Sequence, residues 1–306
     1  MPKLALLFLL SLLCLDAQMQ EYSILPEKKN RVKSMQIHIL DSKELKFKKL
    51  HGIKVTELSA LAYNEGTLYA LSDRGNLFHF ALNIENEKIE SLVLKQAYNL
   101  KNRKHKDLKK DMRDSEGLAF VDGSLVISFE TQPRVELFSL EGVKREEKKI
   151  HKDLRDKKRY QNENKALEAV AYSEKYGVVT APEVALKRKD KAYHTLYAEK
   201  KSWDFLACGN ITALEFINEN ELLVLERVYD KKSLKGFIAL TKVFLDACNN
   251  GVCNSKLLAK LESKKGWRID NFEGLSKVAQ NRYLMISDDN DSKNQKTLLV
   301  LFEISD

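Results

Sequence analysis

Five phrases of the chain share one pattern of polar, small and apolar positions. Each opens on a polar, a small and an apolar residue, runs on as a strand-length apolar segment, and passes through a polar turn into a second such segment. Short apolar segments separated by turn residues are typical of β-hairpins. The five openings are Ser59-Ala60-Leu61, Glu116-Gly117-Leu118, Glu168-Ala169-Val170, Thr212-Ala213-Leu214 and Glu273-Gly274-Leu275.

These phrases begin 44 to 61 residues apart, and each of the first four is followed by two further strand-like segments. A repeat of this length with four strands predicts an all-β fold, a β-propeller of about five blades. The fifth repeat holds only three strands, and a spare apolar strand lies at residues 35–47. We therefore expect this N-terminal strand to complete the C-terminal blade, within one domain over residues 35–306. A six-bladed ring would fit if the longest interval held two merged blades.

Acidic residues occur at fixed places in the repeat. In a propeller blade the innermost strand runs along the channel and the second strand returns, so the start of the first and the end of the second lie on one face. The polar openings and the acids that close the second strands should therefore surround one mouth of the channel. The expected acids are Glu116, Glu168 and Glu273 on first strands, and Asp73, Glu130, Glu183, Glu226 and Asp288 at the ends of second strands.

Crowded carboxylates raise one another's pKa unless cations neutralise them. A hard cation with oxygen ligands, above all calcium, or paired arginines would do so. We predict a metal site formed by Glu116, Glu168, Glu273, Asp288 and Asp73, with Glu130, Glu183 and Glu226 as catalytic candidates. Arg74, Arg134 and Arg227 follow these acids closely and are candidates for binding substrate. The alternative is that the acids accept hydrogen bonds from backbone amides and tie neighbouring blades together.

Basic residues are concentrated in three segments, residues 101–113, 143–165 and 187–191. These segments connect strands that end at the predicted mouth, so they should overhang the acidic ring and favour a small anionic ligand such as a phosphate ester. Improved solubility is the alternative reason for their charge. The formal net charge of +8 is mild for 306 residues, and without a nucleic-acid-binding motif it predicts no nucleic-acid partner.

Residues 1–17 predict a secretory signal peptide. A lysine precedes an apolar run over residues 4–15 that is too short to cross a bilayer, and no other segment reads as a transmembrane span. We expect an exported protein, periplasmic or secreted, and a monomer. A lipid anchor on Cys14 is the less favoured alternative, because Leu13 before it is not small. In an exported protein, Cys248 and Cys253, which flank a turn-rich spacer, predict a disulfide bond.

The phrases "DSEGLAF" and "LVISFE" in the second repeat, and "NFEGLSKV", "RYLMISDDN" and "QKTLLVLFEI" in the fifth, resemble the phytase-like propeller family, described as having esterase-like activity of phytase. The resemblance covers roughly residues 35 to 306. It implies an exported propeller with acids at the channel mouth and, by its alkaline phytase relatives, calcium-dependent hydrolysis of phosphate esters. Glu116, Glu273 and Asp288 lie on the family phrase, whereas Ser59 and Thr212 replace its glutamate in two repeats.

Two functions remain open on the sequence. The first is a calcium-dependent phosphoric-ester hydrolase acting at the acidic mouth. The second is a non-catalytic propeller that binds a ligand or a protein at the same place. No serine-hydrolase elbow, zinc-protease helix motif or glycine-rich nucleotide loop is present in the sequence to suggest other chemistry.

Overall fold

The computed structural model describes residues 15–27, 35–162, 165–230 and 235–305. The signal-peptide prediction and Cys14 therefore lie almost wholly outside the described residues. Within those ranges the chain forms strands and four short 3₁₀ helices, and it contains no α-helix. No helix there combines the length and the hydropathy that a membrane span needs.

The regular elements are β-strands, apart from the 3₁₀ helices Lys110–Met112, Lys152–Leu154, Lys157–Arg159 and Ser263–Lys265. The strands are β1 (Leu15–Asp16), β2 (Gln18–Glu21), β3 (Ile37–Lys46), β4 (Leu58–Asn64), β5 (Thr67–Ser72), β6 (Asn76–Glu85), β7 (Lys88–Asn99), β8 (Ser115–Val121), β9 (Ser124–Phe129), β10 (Arg134–Phe138), β11 (Lys144–Lys148), β12 (Leu167–Ser173), β13 (Gly177–Pro182), β14 (Tyr193–Tyr197), β15 (Ser202–Leu206), β16 (Asn210–Asn218), β17 (Glu221–Asp230), β18 (Lys235–Asn249), β19 (Val252–Glu262), β20 (Asn271–Ala279), β21 (Arg282–Asp288) and β22 (Thr297–Ile304).

The strands form five blades, as the repeat predicts. Blade 1 is β4-β5-β6-β7, with β1 added outside β7; blade 2 is β8-β9-β10-β11. Blade 3 is β12-β13-β14-β15 and blade 4 is β16-β17-β18-β19; one parallel pairing between β15 and β19 joins their outer edges. The innermost strands β4, β8, β12, β16 and β20 contact one another in that order, and β20 contacts β4. The ring is therefore a closed propeller.

The N-terminal strand closes blade 5, which confirms that prediction. β3 pairs antiparallel with β22 from Ile37 opposite Ile304 to Leu45 opposite Thr297. The blade order is β20-β21-β22-β3, and β2 adds a further strand outside β3. The two ends of the described propeller are thus joined by a ladder of backbone hydrogen bonds, which covers edges that would otherwise be open to pairing with another chain.

Each interface between neighbouring blades holds its own apolar cluster. Successive side chains of a strand point to opposite faces of its sheet. In β5, Leu68 and Ala70 therefore pack against blade 5, whereas Tyr69 and Leu71 pack against blade 2. This two-sided burial explains why the second strands are continuously apolar, since both of their faces are covered.

The small residue that follows each polar opening is required by close packing of the inner strands. A Cβ atom on Gly117 would lie 2.4 Å from the Ser128 hydroxyl and 2.6 Å from the backbone nitrogen of Val170 in blade 3. A Cβ on Gly274 would lie 3.0 Å from the backbone of Ala60 in blade 1. The glycine of the E-G-L phrase is therefore needed at these two positions, because a side chain there would overlap neighbouring atoms.

The predicted disulfide is present. Cys248 and Cys253 are bonded to each other and face each other across the β18–β19 hairpin at the outer edge of blade 4. Cys208 is a free thiol.

Candidate metal centre at the channel mouth

The first and second strands of every blade bring their acids to the same end of the channel. In blade 2, Ser115 at the start of β8 pairs with Phe129 at the end of β9, which places Glu116 beside Glu130. In blade 3, Leu167 pairs with Pro182, so Glu168 lies near Glu183. In blade 5, Asn271 pairs with Asp288. This end of the channel is called the mouth below.

Two groups of three carboxylates at the mouth lie close enough to hold a metal ion. One group is Asp114, Glu116 and Glu130, and the other is Glu130, Glu168 and Glu183. Within each group the candidate ligand oxygens lie within 4.8 Å of one another. We call them the first and second triads; Glu130 belongs to both.

Asp114 was not among the acids that the repeat pattern predicts. It lies two residues before Glu116, just ahead of β8. The residues at the same position in the other repeats belong to neither triad. Its backbone oxygen accepts the amide of Glu130 at 2.9 Å, which fixes the two residues side by side. The available signal was the doubled acid of "DSEG", which no other repeat has at its opening.

The triad carboxylates differ in how much they are used by the fold. Glu130 accepts the backbone amide of Ala166 at 3.2 Å, and Glu183 accepts the Asn210 amide at 2.6 Å and the Lys165 ammonium at 2.9 Å. Within the described ranges, no hydrogen-bond donor reaches the carboxylates of Glu116 or Glu168. Hydrogen bonds between neighbouring blades therefore account for the positions of Glu130 and Glu183. The carboxylates of Glu116 and Glu168 remain available to a ligand.

Burial and mutual repulsion disfavour the charged forms of these acids. Burial, followed by the charges of neighbouring carboxylates, raises the pKa of Glu116 and of Glu168 well above the ordinary value. Burial, with the charge of Asp114 next in size, raises the pKa of Glu130 to about 8. A bound cation would offset this repulsion. Because all the triad ligands are carboxylate oxygens, they fit a hard ion such as calcium better than zinc, which favours histidine and cysteine.

The remaining predicted metal ligands lie outside the two triads. Glu273 pairs with Arg227 at 2.8 Å and accepts the Asn271 amide at 2.8 Å. Asp288 accepts the backbone amide of Asn290 and the side chain of Asn271. Burial, then the charge of Glu273, raises the pKa of Asp288 to about 8. Burial, then the charge of Glu57, raises the pKa of Asp73 to about 7.

Glu226 is fully buried and is engaged by four groups. Its carboxylate accepts the backbone amides of Cys208 and Gly209 and the Thr241 hydroxyl, and it lies 3.4 Å from a ring nitrogen of His194. Burial acts to raise the pKa of Glu226, but these donors outweigh it and the pKa is lowered. Glu226 is absent from both triads, and its environment is that of a structural acid.

The three predicted arginines have different surroundings. Arg134 is buried: it donates to Glu136 and to the backbone oxygens of Gln132 and Met112, and it stacks on Phe129. Arg74 pairs with Glu57 and lies 3.5 Å from Asp291. Arg227 pairs with Glu273, and the charge of Glu168 in the second triad also acts on its guanidinium.

The turn "SDDNDS" does not form a separate cation site. Asp289 accepts the Thr56 hydroxyl, the Glu57 amide and the Thr297 hydroxyl, while Asp291 pairs with Lys54. These contacts connect blade 5 to the start of blade 1. The turn therefore acts as a polar junction between blades.

The loops that follow β7 and β11 start at the mouth, because both strands end there. The first of these loops also contacts the β10–β11 turn, where the Lys101 amide donates to the Gly142 backbone oxygen at 2.7 Å. The 143–165 and 187–191 segments also contact each other through the Lys187 amide, which donates to the Arg159 backbone oxygen at 2.7 Å. Their exposed cations include Lys152, Arg155, Lys157, Lys158, Lys187 and Arg188. These two of the three basic segments therefore carry exposed cations on loops that leave strands ending at the mouth.

A family model described as Phytase-like, esterase-like activity of phytase, matches residues 53–291. The chain belongs to this phytase-like family. The match spans all five inner strands and both triads, and it confirms the resemblance seen in the E-G-L phrases. No curated protein matches the chain.

Several solved structures are similar to this phytase-like chain. Glutaminyl cyclase of Myxococcus xanthus has a TM-score of 0.47 at 13% identity, covering 88% of this chain and 97% of that one. A chain of the mitotic checkpoint complex has a TM-score of 0.42 at 10% identity, covering 87% and 69%. The computationally designed Ika4 protein has a TM-score of 0.30 at 14% identity, covering 63% and 94%. At these values the likenesses carry no information about function.

Proposed function

We propose that this phytase-like propeller is an exported, calcium-dependent phosphoric-ester hydrolase whose active site is the acidic mouth. The observation that carries the proposal is the pair of carboxylate triads sharing Glu130. Two adjacent all-oxygen groups at the end of a channel suit hard cations that would in turn bind phosphate.

In this proposal Asp114, Glu116, Glu130, Glu168 and Glu183 hold calcium. When bound, calcium would polarise phosphoryl oxygens and lower the pKa of a coordinated water. Glu116 and Glu168 are the principal ligands, because no hydrogen bond within the described ranges competes for them. Glu130 and Glu183 contribute oxygens while remaining tied to blades 3 and 4.

The cations at the mouth would position the anionic substrate. Lys165 lies 2.9 Å from Glu183, and Arg227 lies 2.8 Å from Glu273, so both bring positive charge to the border of the second triad. The exposed lysines of the 143–165 and 187–191 segments would attract a phosphate ester over longer range. Arg134 has no such role in the proposal, since its guanidinium is buried and donates to Glu136 and to two backbone oxygens.

Hydrolysis transfers a phosphoryl group from an alcohol to water. The water oxygen forms the new bond to phosphorus, the bond from phosphorus to the ester oxygen breaks, and the alcohol leaves with a proton. We assign proton removal from water to Asp73, which follows β5 at the mouth, where the charges of Glu273 and Asp114 act on it. Its pKa of about 7 suits a general base near neutral pH. One of its carboxylate oxygens is buried without a hydrogen-bond partner among the described residues. Glu226, a catalytic candidate on the sequence, is replaced in this role because four groups already hold it.

Export is part of the proposal. The disulfide between Cys248 and Cys253 supports it, since such bonds persist in oxidising compartments. The apolar run at residues 4–15 supports it from the sequence.

The test is a calcium titration with p-nitrophenyl phosphate as the substrate. We expect metal-stimulated turnover in the natural chain, and its loss in Glu116→Gln and Glu168→Gln. Glu90→Gln is the matched control, because Glu90 is exposed on the outer strand β7. Tight calcium binding without turnover on any phosphate ester would instead favour the non-catalytic binding propeller, and the hydrolase proposal would be wrong.

A further inference from the structure

A cavity of about 900 Å³ lies beside the triads, between blades 4 and 5. It is connected to the second triad by direct contact, because Asn210 lines the cavity and donates to Glu183 at 2.6 Å. Arg227 and Glu273, which pair with each other, also line it. A molecule in this cavity would therefore lie next to the candidate metal centre.

One wall of the cavity is formed by the end of β17 and the start of β18. The second and third strands of blade 4 continue past Glu226, whereas the matching strands of the other blades end at the mouth. Tyr229 and Val228 on this extension line the cavity, with exposed fractions of 56% and 37%. Exposed aromatic rings of this kind provide flat apolar surface for a ligand that also carries polar groups.

The opposite wall is rich in uncharged polar side chains. Asn271, Asn290, Asn294, Gln295 and Ser292 all line the cavity. Within the described residues, the side-chain amides of Asn290 and Asn294 make no hydrogen bond, so both their donors and their acceptors are available to a ligand. Paired donors and acceptors of this type match hydroxyl groups, which donate and accept in the same way.

The charges of the described lining residues do not favour a strongly anionic occupant. Its lining residues in the described ranges include one cation, Arg227, which is already paired, and two acids, Asp270 and Glu273. A ring carrying many phosphates would meet net negative charge here. The volume falls within the range of roughly 300–1,000 Å³ typical of small-molecule sites.

We propose that this cavity binds an uncharged, hydroxyl-rich ring such as a sugar. This ring would be the organic part of the phosphoric ester, and that assignment rests on the proposed function. Tyr229 lies against the ring and the amides of Asn290 and Asn294 bind its hydroxyls. The phosphate is directed toward the triads, past Arg227. The preferred substrates are therefore phosphorylated sugars with few phosphates, and inositol hexakisphosphate is a poor one.

The first test measures binding alone, by titration calorimetry of the full chain with maltotriose, cellotriose and chitotriose. We expect at least one of them to bind, and Tyr229→Ala to weaken that binding about tenfold, the loss of one aromatic contact. Asn294→Ala should weaken it as well. Leu257→Ala is the control, because Leu257 is exposed on the outer strand β19 of the same blade and away from the cavity. No binding of any of the three sugars, or binding unaffected by Tyr229→Ala, would overturn the proposal.

The second test separates this inference from the proposed function. Hydrolysis of glucose 1-phosphate and of inositol hexakisphosphate is compared in the presence of calcium. A higher kcat/KM for the sugar phosphate, reduced in Tyr229→Ala, supports the inference, and a higher kcat/KM for inositol hexakisphosphate contradicts it. If neither ester is hydrolysed but the sugars bind through Tyr229, the hydrolase proposal fails while the assignment of the cavity as a sugar site holds.

Discussion

The carboxylate of Glu130 in blade 2 accepts a hydrogen bond of 3.2 Å from the backbone amide of Ala166, just before the inner strand of blade 3. The same carboxylate belongs to both triads. The Glu130 side chain therefore both joins two blades and offers a metal ligand. The two explanations for the acidic ring, blade-tying and metal binding, are compatible here.

Replacing Glu130 with glutamine should weaken calcium binding more than any other single change at the mouth. The amide oxygen of glutamine can still accept the Ala166 amide, so the blade contact is retained, but both triads lose a charge. We expect calcium affinity to fall by roughly tenfold or more, the loss of about 1.4 kcal/mol or more, with the melting temperature of the calcium-free protein unchanged or higher. Titration calorimetry and thermal unfolding measure the two effects.

Glu226→Gln is the matched control and should behave in the opposite way. The amides of Cys208 and Gly209 both donate to one oxygen of Glu226, and the Thr241 hydroxyl donates to the other. A glutamine oxygen can keep the two amide contacts, with its NH₂ group at the Thr241 hydroxyl, but the buried donors then lose a charged acceptor. We expect a loss of about 1–2 kcal/mol in the free energy of unfolding, because hydrogen bonds to charged groups are the stronger ones, with calcium affinity unchanged. Equal weakening of calcium binding in both variants would contradict the distinction between structural and ligand acids.

The stability of the metal-free protein should fall as the pH rises. The pKa of Glu130 is raised from 4.5 to about 8 and that of Asp288 from 3.8 to about 8. The native state therefore holds more protons than the unfolded state between these values, and the free energy of unfolding decreases with pH across the window. The melting temperature without calcium should be higher at pH 5 than at pH 8.

Calcium should reverse this dependence. The ion binds the ionised carboxylates, so its stabilising effect must be larger at pH 8 than at pH 5. Differential scanning calorimetry with calcium and with a chelator gives both curves. A stabilisation by calcium that is equal at the two pH values would show that the ion binds groups with ordinary pKa values elsewhere on the surface.

Replacing Asp73 with asparagine should remove a general base and leave the metal site intact. We expect kcat to fall about 10²- to 10⁴-fold, with calcium affinity close to that of the natural chain. With calcium kept saturating at every pH, the decline of activity that the natural chain still shows on the acid side should disappear in this variant, since it then reports protonation of Asp73. Stopped-time assays of p-nitrophenyl phosphate hydrolysis across pH measure this, and a pH profile unchanged in shape would assign the base to another residue.

Gly117→Ala should destabilise the propeller through the contact between blades 2 and 3. The added Cβ would overlap the Ser128 hydroxyl and the Val170 backbone nitrogen, at a cost of about 1–3 kcal/mol for overpacking. Gly123→Ala in the same blade is the comparison. Nothing lies within 4 Å of its Cβ position, and its φ of +68° leaves a cost of about 1–2 kcal/mol from the left-handed backbone. Chemical denaturation measures both, and only Gly117→Ala should also lower calcium affinity, because it separates Glu116 from blade 3.

The blade count and the closure were predictable from the sequence because both depend on local patterns. Each hairpin carries its own polar opening and apolar strands, and the missing fourth strand of blade 5 is matched by a spare one at residues 35–47. The small residues of the pattern follow from close packing of inner strands, as at Gly117 and Gly274. These features repeat in every blade and therefore stand out in one sequence.

The membership of the triads depended on contacts between blades and could not be read in the same way. Glu226 matches the pattern as well as Glu130 does, yet the loop containing Cys208 and Gly209 folds onto it and uses its oxygens. Ser59 and Thr212, which replace glutamate in blades 1 and 4, donate to backbone oxygens of the next blade at Ser115 and Phe272. Ser115 and Phe272 each lie one residue before a glutamate of the acidic ring. The hydrogen bonds from Ser59 and Thr212 therefore position the neighbouring inner strands.

The sequence contains part of the evidence that Arg134 is a structural residue. Arg134 and Glu136 are two residues apart on β10, so their side chains lie on one face of the strand and pair at 2.8 Å. An arginine with a strand partner at this spacing is less available to a substrate than Arg227, whose partner Glu273 comes from the next blade.

The most direct test of the metal centre is an anomalous diffraction map from crystals grown with excess calcium. We predict a peak bordered by the carboxylates of Glu130, Glu116 and Asp114, or by those of Glu130, Glu168 and Glu183, and its disappearance in Glu130→Gln crystals. Density for calcium only elsewhere on the protein, such as at the turn containing Asp289 and Asp291, with none at Glu130, would contradict it.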